Sequence, residues 1–141
     1  MKIYFDQNFF EKAKFDNNAL KRYFNSASKD LEIAVENKNE DVIFKFSYDA
    51  LIIIGITLIV WHGFRVKSKR GHHIKIIEKI AQILENKDVE AVGEAMRKKR
   101  NFDLYEGGTI ISEKEAKEYL AFIKQVIVSA EKFLKSQKSL F

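Results

Sequence analysis

Cysteine and proline are both missing from this chain, and glycine occurs only six times. Without cysteine there is no disulfide framework and no thiolate metal site, and the chain suits a reducing compartment, the cytoplasm by expectation. Without proline nothing forbids long helix interiors, and so few glycines leave few points at which a helix would stop. Histidine is scarce too, at three residues. His72 and His73 are adjacent and would point about 100° apart on a helix, so they do not converge on one ion. With His62 the only other imidazole, neither a metal site nor a cofactor is expected. No phosphate-cradling glycine loop, nucleophile elbow or metalloprotease motif occurs. Residues 1–10 carry Lys2 and Asp6 among aromatics and show no export signal.

What is present is the balance of a globular protein: 46% hydrophobic, 13% aromatic and 32% charged residues. A chain of 141 residues supports one hydrophobic core, so residues 1–141 read as a single domain, with residues 1–16 as an aromatic-rich lead-in segment packed on it, a short helix being one form it could take. The formal net charge of +5 and the pI of about 9.3 favour polyanionic partners, because clustered Lys and Arg release counterions from phosphates.

Apolar periodicity predicts five helices. Leu20, Phe24, Ala27, Leu31 and Ala34 line one face of a first helix that begins at Asn17 and ends near residues 37–39. A second, over residues 41–66, is opened by Glu40 and Asp41, which suit the positive end of the helix dipole. It is apolar nearly all round from Leu51 to Val60. Its uncharged run, residues 50–64, is shorter than the roughly 20 residues that cross a membrane, so a buried central helix is expected, covered by other helices and by a second subunit. β-branched residues there would also permit a buried strand, but the length of the run and the lack of a second one argue against a sheet. Residues 65–71 form a basic loop. A third helix follows over residues 72–84, with Ile77, Ile80 and Leu84 inward, and a fourth over residues 88–101. After a loop with Gly107 and Gly108, Ser112 and Glu115 make the capping-box pattern that opens a fifth, whose inward stripe is Ala116, Leu120, Ile123, Ile127, Ala130 and Leu134. The expected fold class is all-α, an antiparallel up-and-down bundle of four to five helices.

Candidate chemistry centres on Arg100. Val89, Gly93, Met96 and Arg100 fall on one face of the fourth helix, so a residue that cannot shed its charge ends an apolar stripe. It must reach an acid, a cleft or a bound anion, or snorkel past the helix end. Asn101 adds donors and an acceptor beside it. Arg65, Lys67, Lys69 and Arg70 with Arg97, Lys98, Lys99 and Arg100 would attract RNA phosphates if the fold unites them, and would otherwise be a solvated surface. Asp49, at the edge of the buried run, could pair with Arg100 or join a cleft.

The segment Arg97-Lys-Lys-Arg-Asn-Phe-Asp-Leu-Tyr105, followed by Ile111-Ser-Glu-Lys-Glu-Ala-Lys-Glu-Tyr-Leu-Ala-Phe, resembles the HEPN domains of prokaryotes, as do Tyr48-Asp-Ala-Leu on the second helix and Gly71-His-His opening the third. The likeness covers residues 17–136. It implies a HEPN-like bundle that dimerises so that the fourth helices line a shared cleft. Many members are metal-independent RNases, often toxins of toxin–antitoxin or defence systems, frequently encoded beside a nucleotidyltransferase. Their signature is an Arg and, four to six residues on, a His. Arg100 and Asn101 match; Tyr105, Glu106 and Gly107 stand where the His would be. A phenol of pKa about 10 is a poorer acid–base group than imidazole near neutrality, though it can hydrogen-bond a phosphate or stack on a base. On this likeness Arg100, Asn101 and Tyr105 are the candidate catalytic residues, and Asp49, Lys67, Lys69, Arg70, His72, His73 and Arg97 the candidate RNA- or nucleotide-binding ones. Either of His72 and His73 could substitute for the missing His. The expected partners are a second copy of the chain and RNA, with no membrane. The alternative is a non-catalytic module that binds a nucleotidyltransferase or a nucleotide.

Overall fold

The computed structural model describes residues 2–106 and 111–137. The chain order is β1 (Phe10–Lys12), α1 (Asn17–Glu36), α2 (Glu40–Trp61), β2 (Phe64–Val66), α3 (His72–Ile83), α4 (Lys87–Glu106) and α5 (Glu113–Ser136). The fold is an all-α bundle with one small two-stranded ribbon. The loop carrying Gly107 and Gly108 lies outside the described residues.

Local sequence explains where the helices begin. Asp16 caps α1 by accepting from the Ala19 amide, and Asn39 caps α2 by accepting from the amides of Asp41 and Val42. Ser112 and Glu115 form the reciprocal capping box at α5. The stripe expected for α5 is buried at all six positions, and that for α1 at Leu20, Phe24, Ala27 and Ala34, with Leu31 half-buried.

Helix α2 is the axis around which α1, α3 and α5 pack. It is long and apolar enough to cross a membrane, but 67% of its most apolar window is buried inside the fold, which makes it the core helix. One face is not fully covered. Val42, Phe46, Asp49, Ile53, Ile56 and Val60, spaced alternately by four and three residues, are all half-buried. Where α2 meets α3 the backbones approach closely: a Cβ on Gly55 would overlap Ile76 and crowd Ile80, and one on Gly93 of α4 would lie 2.6 Å from Ile77. These two glycines seat α3 between α2 and α4 and so fix where its first turn points.

Two expectations are corrected. Helix α2 ends at Trp61, not Val66, because Gly63 adopts φ +85, a left-handed conformation that terminates the helix. The lead-in is not helical either. After a turn in which Phe9 and Phe10 donate to the Asp6 carbonyl, residues 10–12 pair antiparallel with residues 64–66, Phe10 opposite Val66. Arg65 therefore lies in a strand and not in a loop, and its guanidinium meets Glu11 at 2.7 Å. Phe5 stacks on Phe64 with ring centres 4.3 Å apart and meets Phe10 edge-on, so the aromatic lead-in plugs one end of the bundle. Lys79, nearly fully buried, lies under the rings of Phe5 and Phe10, each 5.5 Å away, and donates to Gln82.

Candidate nucleic-acid interface

The start of α3 and the C-terminal half of α4 enclose a cleft of about 810 Å³ lined by Ser68, Lys69, Arg70, Gly71, His72, His73, Ile74, Arg97, Arg100 and Asn101. Two sequence-distant basic groups thus meet in one place. Arg97 and Arg100, three residues apart on a helix, share a face, and the 68–71 loop brings Lys69 and Arg70 opposite them. As the stripe requires, Val89 and Met96 are fully buried and Arg100 emerges at its end, half-buried.

The cations are not equivalent. Arg97 is held by both carboxylate oxygens of Glu94, at 2.8 and 3.1 Å, and that hydrogen bonding raises its pKa above the usual guanidinium value. Lys69 donates to the Asn8 carbonyl at 2.9 Å and sits over the Phe9 ring. Arg100 makes no ion pair among the described residues; its guanidinium lies 5.6 Å from the centre of the Tyr48 ring. It is the cation left available to an incoming anion, with exposed Arg70 beside it.

Two imidazoles line the cleft at the start of α3, and a buried tyrosine lies behind one of them. Tyr48, fully buried on α2, lies 2.9 Å from His73 Nδ1 through its hydroxyl. Burial raises the phenol's pKa, outweighing the nearby Arg100 and Arg97 charges that lower it, so the hydroxyl keeps its proton. Burial likewise pushes His73 down to about 4, helped by His72, Arg100 and Arg97 and opposed by Asp49, so His73 is neutral near pH 7. His72 packs edge-on against His73 with ring centres 4.6 Å apart, and its Nδ1 lies 2.7 Å from the Lys69 carbonyl. Gly71, at φ +85, stands at the N-cap of α3 and offers no side chain to cap it; the His72 amide donates instead to the Lys69 carbonyl at 3.1 Å.

Other expected site residues lie elsewhere. Asp49 does not pair with Arg100 and does not line the cleft: its carboxylate takes Lys45, one turn away, at 3.0 Å. It also raises the pKa of Asp30, after burial the larger cause. Lys67 turns away, donating to the Gln7 carbonyl at 2.7 Å and lining a second hollow with Phe5, Phe10 and Phe64. Lys99 reaches back to Glu115 at 3.2 Å. Tyr105 belongs to α4, but its side chain lies outside the described residues. His62 is in the aromatic plug against Phe5 and Phe133. Among the described residues no three His, Asp or Glu side chains gather in a way that would hold a metal ion.

Tyr48 is the residue behind the cleft that sequence reasoning passed over. Its signal was there, since a phenol on an otherwise apolar helix needs a hydrogen-bond partner, but the partner lies 25 positions on. Comparison with protein-family models, with curated proteins and with solved structures returns no match, so the cleft's own geometry must carry the functional reading.

Proposed function

We propose that this chain is a HEPN-type RNA-associated protein that binds single-stranded RNA in the cleft between α3 and α4. The observation that carries the reading is Arg100: a guanidinium without an ion pair among the described residues, at the mouth of a cleft shared with Arg70, Arg97, Lys69 and the uncapped start of α3. Such a site answers the demands of a phosphate, namely positive charge and convergent N–H donors. Exposed Phe102, two residues beyond Arg100, offers an unpaired base a surface on which to stack. The cytoplasm is the proposed compartment.

The half-buried stripe of α2 favours a homodimer as the working form, since Phe46 on one side of Asp49 and Ile53, Ile56 and Val60 on the other present apolar surface that a second copy would cover. Light scattering at micromolar concentration checks this, with twice the chain mass expected and a monodisperse monomer contradicting it. The RNA reading is tested by titrating labelled single-stranded RNA with the wild type and Arg100→Ala. The variant is expected to bind at least tenfold more weakly while its melting curve moves by no more than about 1 kcal/mol, the scale of a non-structural substitution. Equal affinity would remove Arg100 from the site.

A further inference from the structure

The basic loop that follows β2 serves two hollows and not one. Lys69 lines the α3–α4 cleft, whereas Lys67 lines a second hollow of about 430 Å³ at the β1–β2 ribbon. Ser68 and Lys67, neighbours in the chain, belong one to each, so the two hollows meet at this loop. The ammonium groups of Lys67 and Lys69 bind successive carbonyls of the lead-in turn, Gln7 at 2.7 Å and Asn8 at 2.9 Å. Successive carbonyls lie one peptide apart, so the cation of one hollow stands next to that of the other. Positive charge continues from Arg100 and Arg70 through Lys69 and Lys67 to Lys12, which lines the second hollow.

The ribbon sets the chemistry of that hollow. Side chains alternate along a strand, so Phe10 and Lys12 share one face, and the register puts Lys12 directly opposite Phe64. Opposite residues of a ladder have neighbouring side chains, so an exposed lysine stands beside an aromatic ring. The Lys12 ammonium makes no hydrogen bond or ion pair among the described residues. Phe5 and Phe10 are nearly fully buried, whereas Phe64 is half-buried and keeps surface to offer. Gln7, exposed, adds a side-chain amide that can both donate and accept. Glu11, the acid in the lining, has its charge met by Arg65 at 2.7 Å and does not cancel the lysines. A ring beside a free ammonium suits an unpaired nucleotide, which needs a surface for its base and a charge for its phosphate.

We infer that the second hollow is a separate nucleotide subsite for the same RNA strand. An unpaired base lies against the surface of Phe64 that Phe5 leaves uncovered, its edge on Gln7 and its phosphate on Lys12 and Lys67. This rests on the cleft as an RNA site and gives that site a length and a direction: the strand leaves Arg100 and Arg70, passes Lys69 and enters the ribbon. The ligand is then a single strand of several nucleotides and not a mononucleotide.

The test titrates the full chain at physiological salt with two labelled oligouridylates, one of two nucleotides and one of eight. The longer strand is expected to bind at least about fivefold more tightly, the low end of what one stacked base contributes. Lys12→Glu, at an exposed position, should remove that gain and leave the dinucleotide's affinity within about twofold, because salt screens the distant charge. Arg100→Ala should weaken both strands. Amide spectra of the wild type read the same contact without a substitution: the longer strand should move the signals of residues 10–12, residues 64–67 and the Gln7 side chain together with those of residues 69–73, and the dinucleotide only the last group. Shifts confined to residues 69–73 with both strands would overturn the inference even if Lys12→Glu failed to fold. A longer strand weakened by Arg100→Ala but indifferent to Lys12→Glu would overturn the second subsite and leave the cleft standing. One weakened by Lys12→Glu alone would overturn the cleft reading on which the path depends, and no binding of the longer strand would overturn both.

Discussion

Helices α5 and α3 face the same physical problem at their first turns and meet it differently. Each begins with backbone amides that have no partner within their own helix. At α5 the chain satisfies them itself: Ser112 accepts from the Glu115 amide at 3.1 Å and Glu115 reaches back to the Ser112 amide. At α3 the N-cap is Gly71, without a side chain, and the first turn faces four basic side chains instead of an acidic one. Positive charge beside a helix N-terminus is unfavourable for stability, because it opposes the dipole. On the proposed reading, a helix start without a side-chain cap and with cations gathered around it gains when an anion arrives. The α5 start serves the bundle, and on the proposed reading the α3 start serves a ligand.

The largest expected effect tests what holds the α3 start in place. Gly55→Ala puts a methyl group into the side chains of Ile76 and Ile80, so α3 must shift from α2; overpacking of this kind costs about 1–3 kcal/mol, part of it returned by the better helix propensity of Ala. Denaturant melts read the cost, and RNA affinity should drop with it because the shift opens the cleft. Next is Gly71→Ala. The new methyl group meets only the Phe9 ring, at ordinary contact distance, so the penalty is that of a left-handed backbone, about 1–2 kcal/mol. The contrasting change at α5, Ser112→Ala, should cost about 1 kcal/mol in the same melts and leave RNA affinity unchanged. Loss of RNA binding in Ser112→Ala would erase the distinction between the two helix starts.

These differences were only partly readable in the sequence. The capping box and the inward stripe of α5 were, because both are local patterns within one helix. So was the position of Arg100, since a helical period places it without knowledge of the neighbours. Three features were not. The pairing of residues 10–12 with 64–66 joins two three-residue strands more than fifty positions apart, too short and too distant to leave a period. Asp49 was open to a pairing with Arg100, but Lys45, four residues away on the same helix, is the nearer cation. The Tyr48–His73 contact arises only because Gly55 and Gly93 let α3 sit close against its neighbours.

A further expected effect is a pH dependence of stability. With its folded pKa pushed down to about 4 from an ordinary value near 6.5, His73 resists protonation in the bundle, whereas the unfolded chain takes up the proton readily. Stability from this residue is therefore full above about pH 6.5 and declines as the pH falls towards 4. Burial is the main cause of the shift; the adjacent His72 and Arg100 and Arg97 on α4 add to it, and Asp49 on α2 opposes it. Carboxylates titrate at the low end of the same range, so the check is the difference between wild-type and His73→Gln melts across pH 4–7. That difference should narrow as the pH falls; a constant difference would mean that His73 titrates normally.

The central claim, that the α3–α4 cleft holds RNA by its phosphates, is tested most directly by the salt dependence of RNA affinity. For single strands the slope of log K against log salt is about −0.7 per phosphate neutralised. With Arg70 and Arg100 as the available cations, the wild type should lose affinity steeply between low and physiological salt, and Arg100→Ala should bind more weakly with a slope shallower by about 0.7. Affinity that does not change with salt, or a slope unaltered by the loss of Arg100, would contradict the account.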